Sequence, residues 1–212
     1  NVFTYTTPVT VLLQDDFNDN SIDGAKWDTS NLFSGFTDTS LPVNETGQRF
    51  EIGPLLLNTS GSHYRGLRSV NSYDFTNGAA YVELVQAPAS ASTGDAMFTI
   101  GPNVDNFYRL FVNAGQLIGQ QKIGGTKTTL FSIPYDSVNH RFLRIRNANG
   151  GMIMETAPSN GSGPGTWVQQ YNQIWSSSVT VTSMLFEIKG GTSQAETNAP
   201  GKVIFDNFFA SR

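Results

Sequence analysis

The sequence contains no cysteine, so disulfide bonds, thiolate metal sites and cysteine nucleophiles are all excluded. Charged residues make up only 14% of the chain, against about 25% in an average domain. The net charge is −4, which argues against a nucleic-acid partner because phosphate binding needs a basic surface. No run approaches the roughly 18 apolar residues of a membrane-spanning helix, so we expect no membrane insertion.

The residues that are abundant favour an extracellular β protein. Aromatic residues make up 12% of the chain, and Gly, Ser, Thr and Asn are frequent. The 212 residues are enough to bury one sizeable core. The sequence starts at Asn1 without a methionine or a leader, so we expect a processed product or part of a larger protein. We expect it outside the cell, or on a cell or virion surface.

Short apolar or alternating segments recur along the chain, and turn pairs such as Asn77-Gly78 and Gly190-Gly191 separate them. This pattern predicts antiparallel strands joined by hairpins. Only residues 21–27 are helix-like. We expect residues 9–212 to form one all-β sandwich of two antiparallel sheets, with residues 1–8 as an entering tail or edge segment. The predicted strands are residues 9–13, 49–57, 67–72, 79–86, 96–100, 107–113, 116–123, 128–133, 140–146, 152–156, 167–171, 183–189 and 202–209.

Two motifs frame the chain and resemble those of one fold family. An acidic and aromatic motif runs from Asp15 to Trp27, and Phe205-Asp206-Asn207-Phe208 lies near the end. Together with the stretch from His140 to Arg146, they resemble concanavalin A-like lectin/glucanase modules over about residues 11 to 210. The resemblance implies a jelly-roll β-sandwich whose first and last strands lie side by side. It also implies that Trp27 and Trp167 are core residues.

Glycanases of this family use two carboxylates from one strand, written Glu-X-Asp-X-X-Glu, because alternate residues share a face. This sequence has no such motif. Its strand glutamates each stand alone, and we expect them to pair with arginines of the sheet; they are Glu51, Glu83, Glu155 and Glu187. A catalytic pair formed across strands stays open, as does a polysaccharide lyase, although only two histidines are present. We expect a protein without enzymatic activity.

Alternation also predicts a ligand-binding face. Phe142, Arg144 and Arg146 share one side of their strand, and we expect Met152 and Met154 to lie beside these arginines. Arg109, Phe111 and Asn113 alternate in the same way on a second strand, and a loop adds His63 and Tyr64. The alternative is that loops cover this face and that Glu155 or Glu187 pairs with the arginines. The candidate ligand-binding residues are Arg109, Phe111, Asn113, Phe142, Arg144, Arg146, His63 and Tyr64.

The resemblance further implies a structural Ca²⁺ where the first and last strands meet. Asp206 matches the family's last-strand aspartate, and Asp16 and the carbonyls near Glu51 and Gly53 are the expected partners. Ca²⁺ takes six to eight oxygens, so one or two carboxylates with carbonyls would suffice. The alternative is that these aspartates accept turn hydrogen bonds or pair with a lysine.

The first functional hypothesis is therefore a non-catalytic carbohydrate-binding module that holds a polysaccharide on the concave sheet by ring stacking and by Arg and Asn hydrogen bonds. The second is a structural or adhesive module, such as a phage tail or decoration domain or a surface filament subunit. This hypothesis predicts self-assembly or a place in a multidomain parent protein. A glycoside hydrolase or polysaccharide lyase with a relocated site is the third.

Overall fold

The computed structural model describes residues 9–212, and the predicted tail at residues 1–8 lies outside the described residues. All regular elements of the described chain are strands, so none of them is a helix long enough to cross a membrane. The strands are β1 (Val11–Asp15), β2 (Trp27–Asp28), β3 (Val43–Glu45), β4 (Phe50–Ile52), β5 (His63–Ser69), β6 (Ala79–Gln86), β7 (Asp95–Asn103), β8 (Asn106–Asn113), β9 (Gln116–Ile123), β10 (Thr126–Pro134), β11 (Phe142–Ala148), β12 (Gly151–Ala157), β13 (Val168–Ile174), β14 (Leu185–Thr192) and β15 (Val203–Ser211).

These strands form two antiparallel sheets packed face to face, as the sequence predicts. The eight-stranded sheet has the order β13-β12-β11-β6-β15-β4-β3, with β1 pairing with β15. The seven-stranded sheet has the order β10-β9-β8-β7-β14-β5-β2. Val11 pairs with Ser211, which confirms the prediction that the first and last strands lie side by side.

The core lies between the sheets and follows from the period of two along each strand. Leu143 and Ile145 point into it from β11, as predicted, and both are fully buried. The prediction for the methionines is wrong. Met154 pairs with Ile145 and Met152 with Asn147, so both methionines share the core face of β11 and lie away from its arginines.

The opening motif anchors the first strand to the core. Trp27 is only 2% exposed, and its Nε1 donates a hydrogen bond to Asp15 Oδ2 at 2.7 Å. Its ring meets Phe208 edge-on at 5.0 Å, which joins the two framing motifs. The helix-like segment 21–27 forms one turn, in which the Asp23 carboxylate accepts a hydrogen bond from the backbone of Ala25. The motif is therefore scaffold.

One predicted turn is wrong. Gly190 and Gly191 continue β14 to Thr192, because β5 and β7 pair with it on both sides. A Cβ on Gly191 would lie 2.5 Å from the Tyr64 ring. The glycines are therefore needed because neighbouring side chains approach them closely within the sheet. From composition alone, a glycine pair of this kind cannot be told from a glycine pair in a turn.

Candidate functional site

The outer face of the seven-stranded sheet carries polar side chains at its centre. Alternation along β7, β8 and β14 turns one set of residues into the core and the other set outward. Strand pairing arranges the outward set in three rows that cross the sheet. The first row is Gln120, Arg109, Thr99, Glu187 and Arg68; the second is Ile118, Phe111, Met97, Lys189 and Gly66; the third is Gln116, Asn113, Asp95, Gly191 and Tyr64.

A buried ion network surrounds Glu187 in the first two rows. The Glu187 carboxylate accepts hydrogen bonds from the hydroxyl and the backbone nitrogen of Ser34, and it lies 3.1 Å from Lys189 Nζ. Arg109 donates from Nη2 to the Ser34 hydroxyl at 2.8 Å and from Nε to Thr99 at 2.9 Å. Lys189 donates to the same hydroxyl at 2.5 Å. Ser34, from a loop, therefore connects three charged side chains on β8 and β14.

The charges of this network depend on one another. Glu187 is fully buried; burial raises its pKa, but Lys189 and the Ser34 hydrogen bonds outweigh burial, so the pKa is lowered. Burial lowers the pKa of Lys189 to about 8, and the attraction of Glu187 limits the fall. Both groups are thus ionised at neutral pH. Removing a charge from water costs several kcal/mol of free energy, so each buried charge of the network requires a partner of opposite sign or a hydrogen bond.

A second hydrogen-bonded group lies in the third row. The Tyr64 hydroxyl donates to one oxygen of Asp95, and Asn113 Nδ2 donates to the other at 2.9 Å. Gly191 lies opposite Tyr64, and its missing side chain lets the tyrosine ring extend across β14 to Asp95 on β7. Burial raises the pKa of Asp95, while the hydrogen bonds of Tyr64 and Asn113 oppose that rise.

A cleft lies over these rows. It consists of two adjoining cavities of about 190 and 250 Å³. One cavity extends to the loop that carries Ser34 and Phe36, and Phe36 is 65% exposed at its entrance. The other extends to Phe111, Asn113 and Gln120. The residues that line both cavities are Tyr64, Met97, Arg109, Lys127 and Ser193. Apolar rings beside a few polar groups are typical of small-ligand sites.

The two acidic residues within the three rows are engaged by protein groups. Tyr64 and Asn113 donate hydrogen bonds to the carboxylate of Asp95. Ser34 and Lys189 hold the carboxylate of Glu187, which is fully buried. Both carboxylates therefore take part in contacts that hold the floor of the cleft together.

The structure places the predicted ligand-binding residues on two different faces. Four of them line the cleft, namely Arg109, Phe111, Asn113 and Tyr64. The prediction of one shared face is wrong, because β8 belongs to the seven-stranded sheet and β11 to the eight-stranded sheet. Alternation tells which residues share a side of a strand, but it does not tell which sheet that strand joins.

Phe142, Arg144 and Arg146 lie on the outer face of the eight-stranded sheet. There, contacts with other residues of the protein engage all three side chains. The Nε atoms of Arg144 and Arg146 donate to Glu155 at 2.7 and 2.9 Å. The Arg144 guanidinium also lies 3.9 Å from the centre of the Trp167 ring, and Phe142 is 1% exposed. The alternative prediction, a covered face with paired arginines, therefore describes this side. Trp167 lies over this outer face, so its prediction as a core residue is wrong.

His63 does not line the cleft. It is the first residue of β5 rather than a loop residue, and alternation turns it away from the side of Tyr64. Its Nδ1 lies 2.6 Å from Asp38 Oδ2, and its Nε2 lies 2.9 Å from the carbonyl of Ser60. The hydrogen bond with Asp38 raises the pKa of His63. The imidazole therefore connects two loops.

Several cleft residues were not predicted from the sequence. Lys189 lines the cleft and Glu187 lies beneath it, and both alternate with the core residues Phe186 and Ile188. The period of two along β14 is therefore a signal that places these two charged residues on one face. Lys127 lies on an exposed strand with no apolar alternation around it. The loop residues Ser34 and Ser193 have no periodic signal at all. The exposed loop aromatic Phe36 is of a kind that the sequence does suggest for a cleft edge, and it lines the cavity.

The two predicted metal ligands lie near each other where β15 passes β6. Asp206 pairs with Glu83, and its Oδ1 accepts a hydrogen bond from the backbone of Asn207 at 2.8 Å. Burial, assisted by the negative charges of Glu83 and Asp16, raises the pKa of Asp206 to about 6. Arg141 and Asn207 already engage the carboxylate of Glu83.

A Ca²⁺ at this place would need backbone oxygens. Within residues 9–212, no three acidic or histidine side chains converge as a metal cluster. The predicted carbonyl donors are also displaced: Glu51 pairs with Ile204, two residues before Asp206, and Gly53 lies further along. The carboxylates of Asp206 and Asp16 supply oxygen donors of the kind that Ca²⁺ takes, and an added positive charge would favour the ionised form of Asp206.

No protein-family model matches the chain, and no curated protein matches it significantly. Solved structures match it over nearly its whole length. The CBM2 module of the evolved Dit of Lactobacillus casei BL23 phage J-1 has a TM-score of 0.67 at 11% identity, covering 96% of this chain and 95% of that one. An immunostimulatory antigen and pseudo β-1,3-glucanase of Mycobacterium tuberculosis has a TM-score of 0.66 at 10% identity, covering 95% and 98%.

A third match is SCLam, a non-specific endo-β-1,3(4)-glucanase from family GH16, with a TM-score of 0.63 at 10% identity, covering 99% of this chain and 93% of that one. At identities this low, the likeness concerns the arrangement of the strands, and function must be argued from the site. The protein therefore has the jelly-roll fold of the concanavalin A-like lectins and glucanases.

Proposed function

We propose that the protein is a non-catalytic carbohydrate-binding module that holds a polysaccharide in the cleft, outside the cell or on a surface. The observation that carries the proposal is the lining of the cleft, where apolar rings lie beside fixed polar groups. Aromatic rings bind the apolar face of a sugar, and planar polar side chains bind its hydroxyls. The similar structures include a CBM2 module and a GH16 glucanase, which supports a sugar as the ligand.

The apolar part of the cleft is a small cluster separate from the main core. Tyr64 and Met97 pack with Leu32, and the half-buried Phe111 packs against them. These side chains come from β5, β7, β8 and a loop, so the platform is held by the sheet itself. A platform that is already ordered loses little conformational entropy when a sugar ring binds.

The polar part is oriented by internal hydrogen bonds. Asn113 donates from Nδ2 to both Asp95 and the carbonyl of Thr93, which leaves its side-chain oxygen as an acceptor for a sugar hydroxyl. Arg109 uses Nε and Nη2 within the protein, and its Nη1 has no hydrogen-bond partner in the described part of the chain. The cleft therefore offers both an acceptor and a donor beside the rings.

Replacing Phe111 by alanine should weaken binding of the cognate polysaccharide by about 5- to 30-fold, because a stacked ring contributes about 1 to 2 kcal/mol. Binding is measured by a glycan array and then by titration calorimetry. Phe209→Ala is the matched control, since Phe209 is also half-buried but lies on the eight-stranded sheet.

The possible outcomes of this experiment distinguish the binding module from the structural module and from an enzyme. Loss of binding in Phe209→Ala with retention in Phe111→Ala would move the site to the opposite face. If no polysaccharide binds and light scattering shows self-association, the structural or adhesive module is the better proposal. Sugar cleavage by the wild-type protein would favour a hydrolase or lyase.

We further propose that a structural Ca²⁺ binds Asp206 and Asp16 together with backbone carbonyls. The raised pKa of Asp206 means that its protonated form is favoured in the folded state. Stability associated with this group is thus full below the unfolded pKa near 4 and is lost as the pH rises through about 6. A bound cation would offset this loss at neutral pH.

Asp206→Asn should stabilise the metal-free protein at pH 7 by about 1 to 2 kcal/mol, a value reduced for the partial exposure of the group. This gain should vanish near pH 4, where Asp206 is largely protonated. Calcium should raise the melting temperature of the wild type and leave that of the variant unchanged, because only a ligand of the native state stabilises it by mass action. Equal melting of the wild type in calcium and in chelator would reject the metal site.

A further inference from the structure

Most basic side chains of this protein are ion-paired with a carboxylate. Of the thirteen Lys and Arg residues, nine have such a partner. Within residues 9–212, the four without a carboxylate partner are Arg49, Arg65, Arg109 and Lys127. Arg65 donates to the backbone carbonyls of Thr29 and Thr39, and Arg49 is exposed beside Asp206. The remaining two, Arg109 and Lys127, line the same cleft.

Strand pairing brings these two cations toward one place. Lys127 on β10 pairs with Lys122 on β9, and Arg109 on β8 pairs with Gln120, two residues away on the same strand. Two strand spacings and a two-residue offset put their Cα atoms about 12 Å apart. Both long side chains line both cavities, so their charged ends face a common space. Their mutual repulsion contributes to the lowered pKa of Lys127, after burial.

Acidic residues balance only part of this charge. Asp95 is the one acidic residue among the described lining residues, and its charge acts on both Arg109 and Lys127. Glu187 lies beneath the cleft and is paired with Lys189. Three cations (Arg109, Lys127 and Lys189) therefore stand against two acids, which leaves at least one positive charge in excess at the cleft of a protein whose net charge is −4.

We propose that the ligand is an anionic glycan, whose ring carboxylate or sulfate binds between Lys127 Nζ and Arg109 Nη1. The inference rests on the proposed carbohydrate binding in the cleft and names its substrate class. Charge-assisted hydrogen bonds to a carboxylate or sulfate are stronger than those to hydroxyls, and they favour cations that have no carboxylate within ion-pair distance in the free protein. A neutral glycan would leave Lys127 unused and keep the repulsion between the two cations.

Titration calorimetry with three soluble polysaccharides tests this: a polyuronate, a sulfated galactan and a neutral mixed-linkage β-glucan. We expect at least tenfold tighter binding of one or both anionic polymers, weakened by salt through screening. Lys127→Gln should lose about tenfold in affinity for them. Lys122→Gln is the matched control, because Lys122 lies directly opposite on β9 but is paired with Asp105 and does not line the cleft, so its loss should have little effect.

The outcomes separate this inference from the function on which it rests. Preference for the polyuronate identifies a carboxylate ligand, and preference for the galactan identifies a sulfate ligand; both support the inference. Binding of the neutral glucan as tight as that of the anionic polymers overturns it but leaves carbohydrate binding intact. Equal losses in Lys127→Gln and Lys122→Gln also overturn it, because they indicate general attraction to a charged polymer. No binding to any polysaccharide removes the proposed function as well.

Discussion

Glu187→Ala will destabilise the protein by about 3 to 5 kcal/mol, because removing one partner of a buried ion network leaves the other charges unpaired. Glu187 is fully buried, and Lys189 and Arg109 are 3% and 4% exposed, so water cannot replace the lost carboxylate. Denaturant unfolding at neutral pH measures the loss as a lower midpoint with an unchanged slope. The same change should also release Ser34 and its loop from the sheet.

Glu51→Ala provides the control for this prediction. Glu51 also pairs with a lysine, at 2.6 Å, but its partner Lys202 is 45% exposed in its side chain. Exposed ion pairs contribute about 0 to 1 kcal/mol, so this variant should unfold close to the wild-type midpoint. Similar losses in the two variants would show that burial does not set the strength of the Glu187 network.

Trp27→Ala should cost about 3 to 5 kcal/mol, the range for removing a large aromatic side chain from a core. The ring fills the space between Phe17 and Phe208 and donates to Asp15, which is itself buried. Trp27→Phe restores much of the volume but not the donor, so it should cost less. Thermal and denaturant unfolding of the two variants measure the difference.

The destabilisation caused by Trp167→Ala provides the comparison for that caused by Trp27→Ala. Trp167 is half-buried on the outer face of the eight-stranded sheet, against Tyr81 and under Arg144. Its removal takes away one side of a surface contact and leaves the core intact, so a loss of about 1 to 2 kcal/mol is expected. A loss as large as that of Trp27→Ala would contradict this account of the two rings.

The strands could be predicted because each carries its own signal. On β11, Leu143 and Ile145 alternate with arginines, and the face that each residue takes follows from the period of two. Pairing between distant strands leaves no comparable trace in one sequence. The sequences of β8 and β11 do not reveal that Arg109 and Arg144 belong to different sheets. The residues predicted to share one ligand-binding face therefore lie on two surfaces, the cleft and the covered face of the other sheet.

The cleft shows the same limit at the level of single residues. Phe111 and Asn113 were found because they alternate with core residues of a regular strand. Ser34 acquires its role only through contact with Glu187, which is 153 positions away in the chain. Gly191 looked like a turn residue because composition alone does not reveal that Tyr64 needs the space above it.

The order of the strands also determines when the protein can fold. β14 and β15 are the last two strands of the chain, yet β14 lies between β7 and β5, and β15 lies between β6 and β4. Neither sheet can close until the ribosome has released these segments, and pairings between such distant residues form slowly. Until then, β5, β6 and β7 each have an unpaired edge, and such edges promote aggregation. The cleft, which needs Lys189, is therefore among the last parts of the molecule to form during synthesis.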